Sequence, residues 1–223
     1  MKWFQISTKY LRDISTKKSE REKLEDALNV KYGDYDYTQD ARSLNDVQFE
    51  EEFLKIVNEN LKKPKSETKI LVTGANNGYE YNLLQDFNVT SFDLSKKALE
   101  KLRVKFPNTE IVQGNSEELP FKDGSFDIYI SMRSIHSSNI NLEKALTESL
   151  RVTTENGVLV YSVSNGYLID GKLVKGMYDY PAEEIEVKKP YIITEKIKRF
   201  LISKNIKTEV VEIPSEIVII AKK

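Results

Sequence analysis

Ile70-Leu71-Val72-Thr73-Gly74-Ala75-Asn76-Asn77-Gly78 is an apolar run that stops at a glycine, with a second glycine four residues on and helix-compatible sequence behind it. A buried parallel strand feeding a tight phosphate- or nucleoside-binding turn has this pattern. Gly74 lets the main chain turn with no Cβ in the way, and Gly78 lets a ligand or the following helix approach closely. The next apolar run, Val89-Thr90-Ser91-Phe92, ends in Asp93. A carboxylate at the tip of the neighbouring strand is placed to accept two hydrogen bonds from ribose hydroxyls. Together the two features read as a site for an adenosine-type ligand. A glycine turn alone also occurs as a plain strand-to-helix connection.

Outward from this centre, strands and helices alternate. Strands are expected at Ile70 to Thr73, Val89 to Phe92, Thr109 to Val112, Phe126 to Ser131, Val158 to Val163 (opened by Gly157), Thr208 to Ile213 and Ile217 to Ala221. Helices are expected from Tyr79 to Asp86, after Ser95 until Pro107, from Asn141 to Val152, and near Thr194 to Ser203. The alternation predicts a seven-stranded, mostly parallel α/β sheet with helices on both faces. Pro214-Ser215 is too short for a parallel crossover, so the last strand should run antiparallel to the one before it.

Two segments flank this pattern. Residues 1–66 read as an N-terminal helical extension: a short charged helix after Ser19, a stretch bearing Tyr32, Tyr35 and Tyr37, then an amphipathic helix capped by Asn45 or Asp46. In that helix Val47, Phe49, Phe53, Leu54, Ile56, Val57 and Leu61 face inward. Residues 67–223 form the main domain, interrupted by an insertion from Ser164 to Lys189 in which Asp170-Gly171 signals a hairpin. Its place at the carboxyl end of a central strand makes it a surface loop or a substrate lid.

Lys plus Arg (34) nearly balances Asp plus Glu (35), so no global charge draws the chain to nucleic acid or an anionic membrane. With no cysteine and one histidine, disulfides, thiolate chemistry and a histidine-rich or cysteine metal centre are excluded. The N-terminus, Met1-Lys2-Trp3-Phe4-Gln5, lacks the apolar core of a signal peptide, and no run approaches membrane-spanning length. A cytoplasmic protein with no membrane partner is expected.

These residues resemble the class I S-adenosylmethionine-dependent methyltransferases, Rossmann-like enzymes, in particular the small-molecule group often labelled type 11. The likeness runs from Lys69 to Val163. Val72 to Gly78 is similar to the family's acidic-x-Gly-x-Gly-x-Gly motif, with Val72 in place of the acid and Asn76 in place of the middle glycine. Phe92-Asp93-Leu94-Ser95 matches the ribose-binding motif. Gly114-Asn115-Ser116-Glu117-Glu118-Leu119-Pro120-Phe121 resembles Gly-Asp-Ala-x-x-Leu-Pro-Phe, where the acid takes the adenine amino group; Asn115 keeps an acceptor oxygen without the charge. Thr73 to Gly78 also looks like the opening of the short-chain dehydrogenases. There the third glycine would fall at Glu80, and none of the twelve tyrosines has a lysine four residues on.

The resemblance implies S-adenosylmethionine as cofactor and direct displacement of its methyl group by an acceptor, with no metal needed. It assigns Gly74, Ala75, Asn76 and Gly78 to the cofactor turn, Asp93 and Leu94 to the ribose, and Asn115 and Ser116 to adenine. Ser131 and Met132 fall under the methionyl part. His136 follows the fourth strand where relatives often carry histidine, and its ordinary pKa suits a general base; the other reading is that it packs or orders the loop. For a small-molecule acceptor the candidates are Tyr35, Tyr37, Arg42, Arg133 and Tyr167, with wall packing or, for Arg133, surface solvation as the alternative. Val72 and Asn76 leave a second function open, a cofactor-binding but inactive module that regulates a partner. A nucleic-acid acceptor is disfavoured by the balanced charge and by the lack of an Asn/Asp-Pro-Pro-Tyr/Phe signature.

Overall fold

The structure is a computed structural model that describes residues 22–23, 25–27, 29, 47–137, 139–169, 172–179 and 184–223. The expected caps Asn45 and Asp46 and the side chain of Val47 lie outside the described part. Helix α1 (Val47–Glu59) leads into β1 (Lys69–Thr73), α2 (Tyr79–Leu83), β2 (Asn88–Asp93), α3 (Lys96–Lys105), β3 (Glu110–Gln113), β4 (Phe126–Ser131), α4 (Leu142–Val152) and β5 (Thr153–Ser164). The insertion carries β6 (Gly166–Ile169), β7 (Lys172–Lys175), β8 (Met177–Asp179) and β9 (Glu184–Glu186). Helix α5 (Lys189–Ser203), β10 (Lys207–Ile213) and β11 (Glu216–Lys222) complete the chain. Among the described residues no helix is long and apolar enough to cross a membrane.

Seven strands form one sheet in the order β10-β11-β5-β4-β1-β2-β3. Strands β1 to β5 run parallel, while β11 is antiparallel to both β5 and β10. The strand order reverses at β1, between β2 and β4, so the crevice beyond the carboxyl ends of β1, β2 and β4 is where a ligand binds in such sheets.

Alternate residues of each strand point to opposite faces, and the two faces have separate cores. On one, α1 and α3 supply Phe49, Phe53, Ile56, Val57 and Leu102, with Leu84 just past α2, against Ile70, Val72, Ile130, Val160 and Ile220. On the other, α4 and α5 supply Ala145, Leu146, Val152, Ile197 and Leu201 against Leu71, Tyr129, Leu159 and Ile219. Helix α1 thus shares a core with the sheet. Burying a side chain such as Phe53, 2% exposed, contributes about 1.5–3 kcal/mol. Leu54 and Leu61 pack only partly against this core.

Three boundaries differ from expectation. Strand β5 begins at Thr153, which pairs with Phe126, and then bulges before Val158 pairs with Ile128. Asn156 takes φ +65 in that bulge, so its Asn-Gly sequence, read as the end of a loop, is a kink inside a strand. Helix α5 starts a turn early, at Lys189, because Pro190 occupies its first turn, where a missing N–H costs no hydrogen bond. Helix α2 stops at Leu83; Leu84 leaves helical geometry and is buried in the core.

The insertion runs from the end of β5 to the start of α5 as two antiparallel ribbons, β6 with β7 and β8 with β9. It is seated on the sheet's carboxyl edge. A Cβ on Gly166 would stand 2.8 Å from Leu173 and 3.3 Å from both Pro214 O and Ser215 Cα, so β6 lies against the β10–β11 turn. The Gly176 N–H donates to Asn165 O at 3.1 Å, and Met177 enters the second core.

Candidate cofactor site

Every element that carries a matched motif ends at the same edge of the sheet. The turn after β1 has three residues in the left-handed region, Gly74 at φ +69, Asn76 at +45 and Gly78 at +88. Asparagine tolerates that region better than most residues. A Cβ on Gly78 would meet Leu102 and Phe106 side chains at 3.1 Å, so this glycine is required by the close approach of α3. Val72, in the place of the family's acid, is 1% exposed and belongs to the first core.

Asp93 joins this turn to the next. Its Oδ2 accepts from Asn76 N at 2.9 Å and its Oδ1 from Ser95 N at 2.8 Å. Each carboxylate oxygen retains a lone pair beyond these bonds, and the residue keeps partial exposure. Burial raises the Asp93 pKa above the ordinary carboxylate value, against a downward pull from the Ser95, Asn76 and Leu94 N–H groups. The main chain is stitched alongside: Ala75 N donates to Phe92 O at 3.1 Å and Gly114 N to Asp93 O at 3.0 Å.

The segment after β3 lies next to Asp93. Asn115 Oδ1 accepts from Glu117 N at 3.0 Å, which fixes the side chain in an Asx turn and leaves one lone pair on that oxygen. Ser116 is half-buried beside it. Glu117 reaches across to accept from Asn141 N at 2.8 Å, tying the loop to the start of α4.

Residues 22–29 also contribute. Asn29 Oδ1 accepts from Ser95 Oγ at 2.7 Å and Lys97 N at 3.2 Å, while Gln113 Nε2 donates to Glu25 Oε1 at 2.6 Å and Leu94 O at 3.2 Å. The N-terminal extension therefore touches the tips of β2 and β3.

The turn after β4 closes the other side. Ser131 Oγ and Ser134 Oγ are 2.6 Å apart, and Ser134 Oγ donates to Thr73 O at 3.1 Å. Met132 is buried in the first core. Arg133 is no solvated surface residue: its side chain is 8% exposed and its Nε donates to the fully buried Glu216 at 2.8 Å. His136 is half-buried in a turn closed by Ser137 N to Ser134 O at 3.0 Å.

The hydrogen bonds thus join Ala75, Asn76, Asp93 and Gly114 at neighbouring strand tips, with Gly74, Leu94, Asn115 and Ser116 beside them in the chain and Ser131 tied to Thr73 through Ser134, whereas Gly78 faces Leu102 and Phe106 and Met132 lies in the first core. Tyr35, Tyr37 and Arg42 lie outside the described residues, as does the side chain of Tyr167, whose backbone is on β6. Sequence reading missed Ser134, Glu216, Glu25 and Asn29. Glu216, a lone acid at the head of the apolar run Ile217 to Ala221, was the one with a readable signal.

Residues 71–161 match the family model described as a methyltransferase domain. An uncharacterised protein of Methanocaldococcus jannaschii is 32% identical over 101 residues, 45% of this chain and 43% of that protein. A ubiquinone/menaquinone biosynthesis C-methyltransferase of Campylobacter jejuni is 33% identical over 81 residues, 36% of this chain and 33% of that enzyme. The aligned stretch spans about half the length of the first curated relatives, 43% and 54%. The crystal structure of an S-adenosylmethionine-dependent methyltransferase from Aquifex aeolicus superposes with a TM-score of 0.57 at 17% identity, over 91% of this chain and 96% of that one, a likeness of fold. Sequence match and strand order agree: residues 71–161 are similar to a methyltransferase domain, and the sheet has the fold of the S-adenosylmethionine-dependent methyltransferases.

Proposed function

We propose that this protein transfers a methyl group from S-adenosylmethionine to a small-molecule acceptor by direct displacement. The observation that carries the reading is the Asp93 carboxylate, held by Asn76 N and Ser95 N at the meeting of two strand tips with acceptor capacity to spare. The residues fit the cofactor on a second count. Asn76 Oδ1 is buried with no hydrogen-bond partner among the described residues, an acceptor in the cofactor turn that a ligand donor would satisfy.

When bound, the sulfonium supplies an activated methyl carbon and a good leaving group. The protein's share is alignment and exclusion of water. Asp93 would accept from the ribose hydroxyls, with Leu94 beside them, and Asn115 and Ser116 would hold the adenine. Gly74, Ala75, Asn76 and Gly78 would form the turn under the nucleoside, and Ser131 and Met132 would lie at the methionyl end. His136 takes the proton from an acceptor that must lose one, while Arg133 shapes the neighbouring wall. The insertion, whose β6 lies against the β10–β11 turn, is the lid over the acceptor, and Glu25 and Asn29 stand at the tips of β3 and β2 on the nucleoside side.

The test is calorimetric titration with S-adenosylmethionine and its demethylated product, beside a turnover screen of small amines, phenols and carbon acids. Micromolar binding with turnover supports the enzyme. One observation favours a second reading, an inactive cofactor-binding module: Val72 is a core residue, so the acid that fixes the cofactor's amino end in relatives is missing. Binding without turnover on every acceptor class would select it.

A further inference from the structure

Arg133 and Glu216 are 83 residues apart in sequence and meet in a buried ion pair. Besides its bond to Glu216, Arg133 donates through Nη2 to Ser215 O at 3.3 Å and through its backbone N–H to Ser162 Oγ at 3.0 Å. Arg133 holds φ +50, which a residue with a long side chain keeps only where its surroundings impose it. The next residue is Ser134, whose hydroxyl bridges Thr73 O and Ser131 Oγ and whose side chain fills the space beside Gly74. The post-β4 turn is therefore clamped from two sides, by the β10–β11 turn through Arg133 and by the cofactor turn through Ser134.

We propose that Glu216 is a positioning residue for the cofactor turn: by holding Arg133 in its left-handed conformation it seats Ser134 against Gly74. Stability alone gives no reason for the pair, since well-packed apolar residues serve a buried site as well as two desolvated charges do. What a charged pair adds is one defined geometry. Strands β5 and β4 separate β11 from β1, about 14 Å at ~4.8 Å per strand spacing, so Glu216 acts on the turn only through intermediaries. The inference rests on the reading that residues 73–78 hold the cofactor.

The test uses the full-length chain, S-adenosylmethionine titrations well below each variant's unfolding temperature, and amide exchange at residues 74–78. Glu216→Gln removes the Glu216 charge from the guanidinium and should weaken binding about tenfold. That variant risks misfolding, so the decisive one is Arg133→Met with Glu216→Leu, which leaves no buried unpaired charge. It should unfold near the wild-type temperature yet bind at least about fivefold more weakly and exchange faster at residues 74–78. Wild-type affinity, within about twofold, in the double variant overturns the proposal. If the wild type itself fails to bind, the cofactor reading falls, and unaltered exchange at residues 74–78 in the double variant then overturns the clamp separately.

Discussion

Ser134 stands where a side chain on Gly74 would have to go: an ideal Cβ there would lie 2.6 Å from Ser134 Oγ and closer still to Ser134 Cβ. The first glycine of the motif is thus dictated by a neighbouring turn as well as by its φ of +69. Gly74→Ala should cost about 2–4 kcal/mol of stability, one part from left-handed alanine and one from overpacking. Gly74→Ala should cost less in a Ser134→Gly background than in the wild type, because the overpacking is then gone while the lost Ser134 hydrogen bonds are common to both members of that comparison. Chemical denaturation of the wild type, both single variants and the double variant checks this, and an equal cost in the two backgrounds would refute the steric account.

Asp93 offers a pH-dependent readout. Its pKa is raised in the fold, chiefly by burial, so the ionised form is a burden on apo stability that vanishes as pH falls through that raised value. Hydrogen bonds from ribose hydroxyls require the ionised form, so cofactor affinity should begin to fall at a higher pH than an ordinary carboxylate would give. Asp93→Ala should lose about 1.5–3 kcal/mol of binding and flatten this acid limb. Titrations from pH 8 down to about 3.5, bracketing the ordinary carboxylate range, decide it; an unchanged limb in Asp93→Ala removes the residue from the site.

The sheet was legible because its signals are local. Apolar runs such as Ile70 to Thr73 and Phe126 to Ser131 end where the strands end, Ser95 caps α3 as expected, and Asn141, expected as the first residue of its helix, caps α4. Asp93 could be placed because strand tips share one edge once the sheet is parallel. What could not be read depends on contacts distant in sequence. Nothing near residue 74 announces Ser134, and no spacing rule links Arg133 to Glu216. The bulge at Asn156 was hidden because Asn-Gly is also the commonest sign of a turn. The early start of α5 had a local sign, Pro190, which the expected start near Thr194 passed over.

Arg151 should matter for the loop proposed to hold the adenine without itself lying at Asn115 or Ser116. Its Nη1 donates to Phe121 O and Asp123 Oδ1, its Nη2 to Leu119 O and Glu148 Oε2, and Glu148 Oε2 also accepts from Leu119 N. The loop that follows Asn115 and Ser116 is thereby fastened to α4. Lysine cannot form this fork, so Arg151→Lys should cost about 1–3 kcal/mol. Arginine's hydrogen bonds hold the Glu148 pKa below its ordinary value. The stability this gives is present above the ordinary carboxylate range and is lost as pH falls through the lowered pKa. The wild-type advantage over Arg151→Lys should therefore shrink in acid, and thermal unfolding at pH 7 and about pH 3 measures it.

Two buried tyrosines set the alkaline limit of the fold. Tyr129 bonds Thr73 Oγ1 and Tyr161 bonds Ser149 Oγ, each at 2.7 Å, with ring centroids 5.8 Å apart in the second core. Burial pushes the Tyr129 pKa up to about 12 and Tyr161 well above the ordinary value. A raised folded pKa means that the unfolded chain releases these protons first. Stability is therefore intact below about pH 10 and drains away as pH climbs from there toward 12. In an absorbance titration these two should ionise only together with loss of helical circular dichroism. Tyr129→Phe should cost about 1 kcal/mol at neutral pH and move the alkaline unfolding midpoint upward, because one of the two protons driving it is gone. Ionisation of all twelve tyrosines before any unfolding would show that the pair is not sealed beneath the cofactor turn.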